Sequence, residues 1–211
     1  MPLRRPVEMT SADFDACLAR GDRRLGTLLY NTQCPACQAC EAIRIPVAEF
    51  QAHRSQRRTF IKGNTLLEVR VGPPECDETR VALFNRHKAL RGLAQAGDGE
   101  IDLEGYCDFL VESCCQTLEF SYWHGAELVA VAISDRGEQA MNAVYCFFEP
   151  TFANVGLGTF NVLRQIEYCR AEQLKYLYLG YYIGQSPHML YKGRYLPHER
   201  LLHKQWHRFD A

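Results

Sequence analysis

The sequence predicts an α+β protein, and three observations carry that reading. Leu118, Phe120 and Tyr122 alternate with Glu119, Ser121 and Trp123, the period-two pattern of a half-buried strand. Phe160, Leu163, Ile166 and Cys169 recur at three-to-four spacing, which puts one apolar stripe on a helix. The tyrosine-rich run 176–183 then brings the chain back into the sheet, giving a layered arrangement of strands and helices.

Taken in order, 27–31 and 42–47 read as short strands on either side of a cysteine turn, and 47–61 carries a basic segment. Residues 66–71 are strand-like. Residues 78–93 and 103–114 have helical patterns, joined by a polar loop at 95–100 that contains two glycines. In the second half, His124-Gly125 turns the chain into 128–133, a continuous apolar run suited to a strand covered on both faces. Asp135-Arg136-Gly137 turns it again into a third strand, 141–148, and the loop 149–158 leads to the striped helix. The chain is expected to divide into a cysteine-containing basic α/β portion, 1–115, and a second portion, 116–211.

At 211 residues, 47% hydrophobic and 23% charged, the chain has the composition of an ordinary globular protein, which excludes a disordered or fibrous one. Its apolar runs fall far short of the roughly 20 residues of a membrane span. The start, MPLRRPVEM, has no apolar stretch behind its arginines, so no signal peptide is expected. The net charge of −1 is an average over uneven parts: residues 1–70 hold 11 Lys/Arg against 7 Asp/Glu, 71–191 hold 8 against 16, and the last twenty hold 5 against 2.

Ten cysteines are unusual for a chain that reads as cytoplasmic. Cys34, Cys37 and Cys40 stand at a strict three-residue spacing, while Cys17, Cys76, Cys107, Cys146 and Cys169 lie among apolar neighbours as small buried hydrophobes. The trio has two readings: ligands of Zn²⁺ or an iron–sulfur cluster, completed by Cys17 or Cys76, or three thiols packed in a tight turn.

Asn154-Val-Gly156-Leu-Gly158 sits where a strand hands over to a helix. Glycines there let a ligand approach the backbone, and the free N–H groups of the helix start favour a phosphate. The alternative is a turn whose glycines serve close packing alone.

The stretches Cys34-Pro-Ala-Cys37-Gln-Ala-Cys40, Arg44-Ile-Pro-Val-Ala-Glu-Phe50 and Arg54-Ser-Gln-Arg57-Arg58 occur in one order, followed by Gly156-Leu-Gly158-Thr-Phe, Gln165-Ile-Glu167, Tyr176-Leu-Tyr-Leu-Gly-Tyr-Tyr182-Ile and Met189-Leu-Tyr191-Lys192. This pattern, from about Arg23 to Trp206, resembles the aminoacyl-tRNA–protein transferases of the N-degron pathway, the arginyltransferases and the bacterial aspartate/glutamate leucyltransferases. The resemblance implies a GNAT-like acyltransferase fold, a mixed sheet flanked by helices, with catalysis in the second portion. It implies aminoacyl-tRNA as co-substrate and transfer of Leu or Arg to the α-amine of a protein that begins with Asp or Glu. No metal is required, and no membrane or DNA partner is implied.

That chemistry assigns roles to particular residues. Glu119, on the polar side of its strand, is a candidate base; Tyr191 and Ser186 are candidates to protonate the departing ribose oxygen. Arg57 and Arg58, with Arg54, suit an acidic acceptor side chain or tRNA phosphates, and Lys192 and Tyr181 complete the substrate-binding set. Arg44, Asn154, Gly156 and Gly158 are expected to meet the tRNA. The start lacks the further cysteine-bearing segment that the resemblance implies, and Gly180-Tyr181-Tyr182 stands in place of Gly-Tyr-Trp. Those differences motivate an alternative acceptor, a peptide or small amine in a biosynthetic pathway. A coenzyme-A-dependent acetyltransferase and a non-catalytic RNA- or metal-binding protein are the other competitors.

Overall fold

A computed structural model describes residues 3–4, 9–91 and 99–210. Its centre is an eight-stranded mixed sheet in the order β11-β10-β4-β9-β8-β7-β6-β5. The strands are β4 (Glu41–Pro46), β5 (Glu68–Gly72), β6 (Gln116–His124), β7 (Glu127–Arg136), β8 (Ala140–Phe148), β9 (Tyr176–Tyr182), β10 (His198–Leu202) and β11 (Gln205–Phe209). A small second sheet, β1 (Leu3–Arg4), β3 (Leu28–Tyr30) and β2 (Arg23–Leu25), lies beside it. The α+β expectation holds. The large sheet takes β4 and β5 from the first portion of the chain and its other six strands from the second.

Every adjacent pair in the large sheet is antiparallel except β8 and β9. Those two pair in parallel over three rungs only, Ala140↔Tyr176 to Asn142↔Tyr178, and then separate. A parallel connection needs a crossover, and α5 (Leu157–Ala171) supplies it, with its start near the open end of the fork. The fork is therefore the place where a ligand can enter between strands of an otherwise continuous sheet.

Three apolar clusters hold the layers. On one face, α2 (Arg54–Leu66) and α5 cover the strands through Leu67, Phe120, Tyr122, Phe160, Leu163 and Ile166. On the other, α3 (Glu78–Leu90) and α4 (Leu103–Tyr106) close over Val131, Ile133 and Phe147. Beside them, α1 (Ser11–Ala19) and the small sheet pack Phe14, Leu18 and Leu29 on Ala140 and Tyr178. From Leu128 to Asp135, β7 is buried without interruption, as a strand covered on both faces must be.

The helical pattern expected at 103–114 is shorter. It ends in a π-helical turn at Cys107–Val111, and Glu112 is extended, so Cys114 and Cys115 lead directly into β6. The basic segment forms α2, capped reciprocally by His53 and Gln56. The polar loop at 95–100 and the last turn expected up to Leu93 lie partly outside the described residues. Among the described residues, no helix is long and apolar enough to cross a membrane.

Candidate active site at the strand fork

The rungs that join β8 to β9 stop at Asn142↔Tyr178, and a cavity of about 220 Å³ opens at that fork. It is lined by Arg23 and Arg24 of β2, Tyr30 of β3, Asn142 of β8, Tyr181 of β9 and Lys192, among others. Lys192 belongs to a 3₁₀ turn, Leu190–Arg194, that crosses after β9. Positive φ at Gly180 (78°) departs from strand geometry, and the two cations donate to consecutive carbonyls there: Arg23 to Gly180 O at 3.1 Å and Lys192 to Tyr181 O at 2.6 Å.

Arg23 is almost wholly buried, between the rings of Tyr178 and Tyr181 at 5.4 and 5.2 Å. Its guanidinium also donates to Asp22 O at 2.6 Å, and its Nε has no hydrogen-bond partner. Burial lowers its proton affinity, which nearby Tyr181 and Tyr178 partly restore, and guanidinium keeps its charge regardless. Burial, with Arg23 close by, brings Lys192 down to about 8. Neither cation has a carboxylate within ion-pair distance among the described residues. Arg24 differs: it is consumed by Asp135, both of whose oxygens lie 2.9 Å from its Nε.

On the other side of the 3₁₀ turn, Tyr191 lines a smaller cavity of about 100 Å³ with His53, Gln56, Thr59, Thr159 and Tyr195. Tyr191 keeps an exposed ring edge, but burial of its phenol end, with the Cys146 thiol nearby, raises its proton affinity to about 12. It therefore stays protonated at neutral pH, the form that can give a proton but not take one. Thr159 belongs to the first turn of α5. Gly156, in the left-handed region (φ 77°, ψ 42°), turns the chain into that helix, and no side chain caps it. Space above Gly158 is open, since a Cβ there would meet nothing within 4 Å. The uncapped N–H groups and the open space at Gly158 are compatible with a phosphate.

On α2, Arg54, Arg57 and Arg58 are exposed, with Lys62 one turn further on, donating to Asn154 O at 2.9 Å. None of the four has a carboxylate partner among the described residues. Arg57 also lines an apolar groove of about 210 Å³ between α2 and α5, away from the fork cavity. Asn154 is exposed at the end of a 3₁₀ turn, Pro150–Val155, that precedes α5.

Three expectations need correction. Glu119 does not line a cleft: its carboxylate is 3% exposed and accepts from Arg80 Nε and Nη2 at 3.0 and 2.6 Å, an ion pair between β6 and α3. Arg44 is not open to RNA: it pairs with Glu199 at 2.6 Å and is sandwiched by the rings of Tyr176 and Trp206 at 3.8 and 4.0 Å. Ser186 sits in the turn after β9, its N–H donating to Ile183 O, and it lines neither cavity.

The cysteine trio matches neither of its two readings. Cys34 and Cys37 are exposed across a narrow turn and Cys40 is half-buried, so the thiols are not packed. Cys17 is buried on α1 with Phe14 and Leu18, and Cys76 donates to Leu103 O beside the α3–α4 cluster, so neither joins the trio. Among the described residues, no three His, Cys, Asp or Glu side chains are grouped as a metal requires. These thiols do not fit a four-ligand zinc or iron–sulfur site, and no chemical step is assigned to one.

Family models for the arginine-tRNA-protein transferases match nearly the whole length: the N-terminal model over residues 3–58 and the C-terminal model over residues 79–202. The chain belongs to the arginine-tRNA-protein transferase family. It is an aminoacyltransferase by that membership, as the motif order implied. It is 39% identical over 207 residues to an aspartate/glutamate leucyltransferase of Stenotrophomonas maltophilia (strain R551-3), covering 93% of this chain and 80% of that one. A leucyltransferase of the same kind from Hahella chejuensis is 36% identical over 189 residues, covering 88% and 79%. Solved structures of similar fold include FemX (TM-score 0.55, 9% identity) and L-PGS from Bacillus licheniformis (TM-score 0.55, 10% identity). The matches cover 87% and 82% of this chain but only 64% and 59% of those structures. At such identity they speak for the fold alone, which is the GNAT-like acyltransferase fold that the resemblance implied.

Arg23, Tyr30, Asn142, Thr159 and Tyr195 were not singled out from the sequence. Arg23 has one sequence signal, its place in the pair Arg23-Arg24 directly after Gly21-Asp22, and nothing there separates a buried cation from a solvated one.

Proposed function

We propose that this chain moves leucine from leucyl-tRNA onto the α-amine of proteins whose first residue is aspartate or glutamate. Leucine as the group moved and aspartate or glutamate as its target are those named for the leucyltransferase relatives, and transfer from tRNA to protein is that named for the family. The observation that supports the reading most is the fork cavity, where Arg23 and Lys192 present two cations with no carboxylate partner among the described residues. A buried cation that donates to carbonyls and packs on rings, with the Asp22 carboxylate near but outside ion-pair distance, is incompletely compensated, and a substrate carboxylate completes it. An acidic side chain entering there brings its α-amine to the strand fork.

The reaction needs no energy input beyond the ester. The neutral amine attacks the leucyl carbonyl, a C–N bond forms, and the bond from that carbon to the ribose oxygen breaks. The amine gives up one proton and the ribose oxygen gains one, so the products are an amide and a free tRNA hydroxyl. In this reading Tyr191, protonated and lining the cavity beside the α5 turn, gives that proton. Holding both reactants in one fork supplies much of the rate enhancement by itself.

The tRNA is taken to lie along α2, where Arg54, Arg57, Arg58 and Lys62 meet its backbone. Its terminal phosphate rests on the backbone N–H groups after Gly156 and at Gly158. In this reading residues 116–211 carry the catalytic portion, residues 1–115 supply Arg23, Tyr30 and the cationic helix, and the protein works in the cytoplasm, where charged tRNA is found.

The test is transfer of labelled leucine or arginine from its tRNA to peptides led by Asp, Glu, Asn or Ala. Transfer of leucine to the Asp and Glu peptides alone is expected. Failure with every acidic peptide overturns the reading, and efficient transfer to free small amines favours the biosynthetic acceptor instead.

A further inference from the structure

We propose that Asn142 receives an N–H of the acceptor's α-amine through its side-chain oxygen and so aims the nitrogen lone pair at the ester; this rests on the acceptor reading above. Asn142 stands on the last rung of the β8–β9 ladder, where the strands part, and lines the fork cavity. It is 2% exposed, yet its Oδ1 has no hydrogen-bond partner. An acceptor buried without a donor is costly, so its retention points to a ligand that supplies the missing donor.

The neighbours fix which way the amide faces. Asn142 is the cross-strand partner of Asp135 and lowers the proton affinity of that buried carboxylate, which the amide does only with its N–H side turned toward it. Asp135 cannot turn away, because Arg24 holds both its oxygens at 2.9 Å and Thr117 donates to one of them at 2.9 Å. A flipped amide would set oxygen against carboxylate. Arg24 and Asp135 are thus positioning residues, and the Asn142 oxygen is left for a ligand.

The rest of the cavity says which donor it wants. Arg23 Nε is a second orphan in the same wall, and it is a donor. One unpartnered donor and one unpartnered acceptor match an N-terminal acidic residue, which offers a carboxylate and an amine. A neutral oxygen beside cations holds an amine without favouring the ammonium form, whereas a carboxylate there would hold it protonated and unreactive. Among the described residues, no Asp or Glu lines the cavity.

The experiment compares Asn142→Ala and Asn142→Ser with the unaltered protein, using leucyl-tRNA and an Asp-led peptide. Asn142→Ala is expected to lower kcat/KM for the peptide at least tenfold while the Kd for leucyl-tRNA stays within twofold. Asn142→Ser, whose hydroxyl can accept the same N–H, is expected to recover most of the loss. In the unaltered protein, a succinyl-led peptide, which keeps the carboxylate and lacks the amine, is expected to inhibit at least tenfold less tightly than the Asp-led peptide binds. That comparison decides the matter if the alanine variant does not fold. Unchanged kcat/KM in a folded Asn142→Ala, equal loss in both variants, or equal binding of the two peptides overturns the proposal. Absence of transfer by the unaltered protein overturns the functional reading instead, which keeps the two failures distinct.

Discussion

Arg23 and Lys192 donate to consecutive carbonyls of β9, Gly180 O at 3.1 Å and Tyr181 O at 2.6 Å. Two cations from opposite ends of the chain are thereby held over one short stretch of strand, in the cavity where the sheet forks. Like charges so placed repel, and carbonyl dipoles relieve only part of that repulsion. A carboxylate bound between them relieves the rest, which ties the specificity of the site to its own electrostatic imbalance.

Removing the charge of Arg23 should therefore act on the acceptor. Arg23→Gln keeps a polar side chain of similar reach and should raise the KM for an Asp-led peptide about 10- to 100-fold, the size of one charge-assisted hydrogen bond. Kd for leucyl-tRNA should not move. Steady-state kinetics with the peptide varied at saturating tRNA, alongside filter binding of the tRNA, separates the two. Parallel losses in both measurements would show that Arg23 supports the fold rather than the acceptor.

Lys192 sets a pH limit. Its proton is lost near pH 8, below the ordinary lysine value, because of burial and the neighbouring Arg23. The groups facing it in the cavity are Arg23, Arg24, Tyr30 and Tyr181, none of them acidic at neutral pH. As pH rises through about 8 the site loses one of its two free cations, so acceptor KM should climb, while the α-amine, with an ordinary pKa of about 7.7–8, becomes reactive over the same range. A narrow bell in kcat/KM is expected, and Lys192→Arg, which stays charged, should move its falling limb to higher pH. Stability has its own sign: between about 8 and the ordinary lysine value the unfolded chain holds a proton that the folded chain does not, so this group's contribution rises with pH there.

How much of this was legible in the sequence depended on periodicity and on distance along the chain. The strand β6 and the helix α5 declared themselves through their apolar periods, β7 through its unbroken apolar run, and β8 through its place between the Asp135-Arg136-Gly137 turn and the loop before α5. Helix α2 did not, since its buried side comprises only Gln56 and Gly63 and its composition is basic. The hairpin of β10 and β11 was missed because its strands are mostly half-buried and polar, without a clean alternation. Lys192 and Tyr181 could be proposed from their motifs, but Arg23 meets them across a separation of 157 residues to Gly180, which no local pattern encodes. Glu119 shows the converse failure, for strand alternation places it opposite Phe120 without saying that α3 covers that face with Arg80.

The exposed cations of α2 should govern RNA affinity rather than acceptor choice. Arg54→Gln, Arg58→Gln and Lys62→Gln should each weaken leucyl-tRNA binding, and each should reduce the slope of log Kd against log salt by about 0.7–0.9. The KM for the peptide should be unaffected when tRNA is saturating. Titrations of labelled tRNA at several salt concentrations give both the affinity and the slope. An unchanged slope in all three variants would place the RNA on another face.

Gly63 should be sensitive through packing alone. A Cβ there would lie 2.4–2.5 Å from three ring carbons of Phe160, inside contact distance, at the crossing of α2 and α5. Gly63→Ala must push the helices apart and should cost about 1–3 kcal/mol. Gly63→Ala combined with Phe160→Leu, which frees room at the crossing, should recover part of the loss, as denaturant melts of the three variants would show. Additive losses would mean that the clash is relieved elsewhere.

The Arg80–Glu119 pair gives the sharpest contrast with the catalytic role first expected for Glu119. Both side chains are at most 5% exposed, and Arg80 also reaches Glu75 and Asp77 at the surface end. Breaking a buried pair by removing one partner typically costs about 3–5 kcal/mol, and the two remaining carboxylates near Arg80 should hold Glu119→Ala to the low end of that range. For a domain of this size, about 3 kcal/mol lowers Tm by roughly 6–12 °C. Transfer activity measured well below the new Tm should stay within a few-fold of normal, because the pair lies between β6 and α3 rather than at the β8–β9 fork. A catalytic base would show the reverse, a collapse of kcat with little change in Tm, so one melt and one rate assay on Glu119→Ala decide between the two roles.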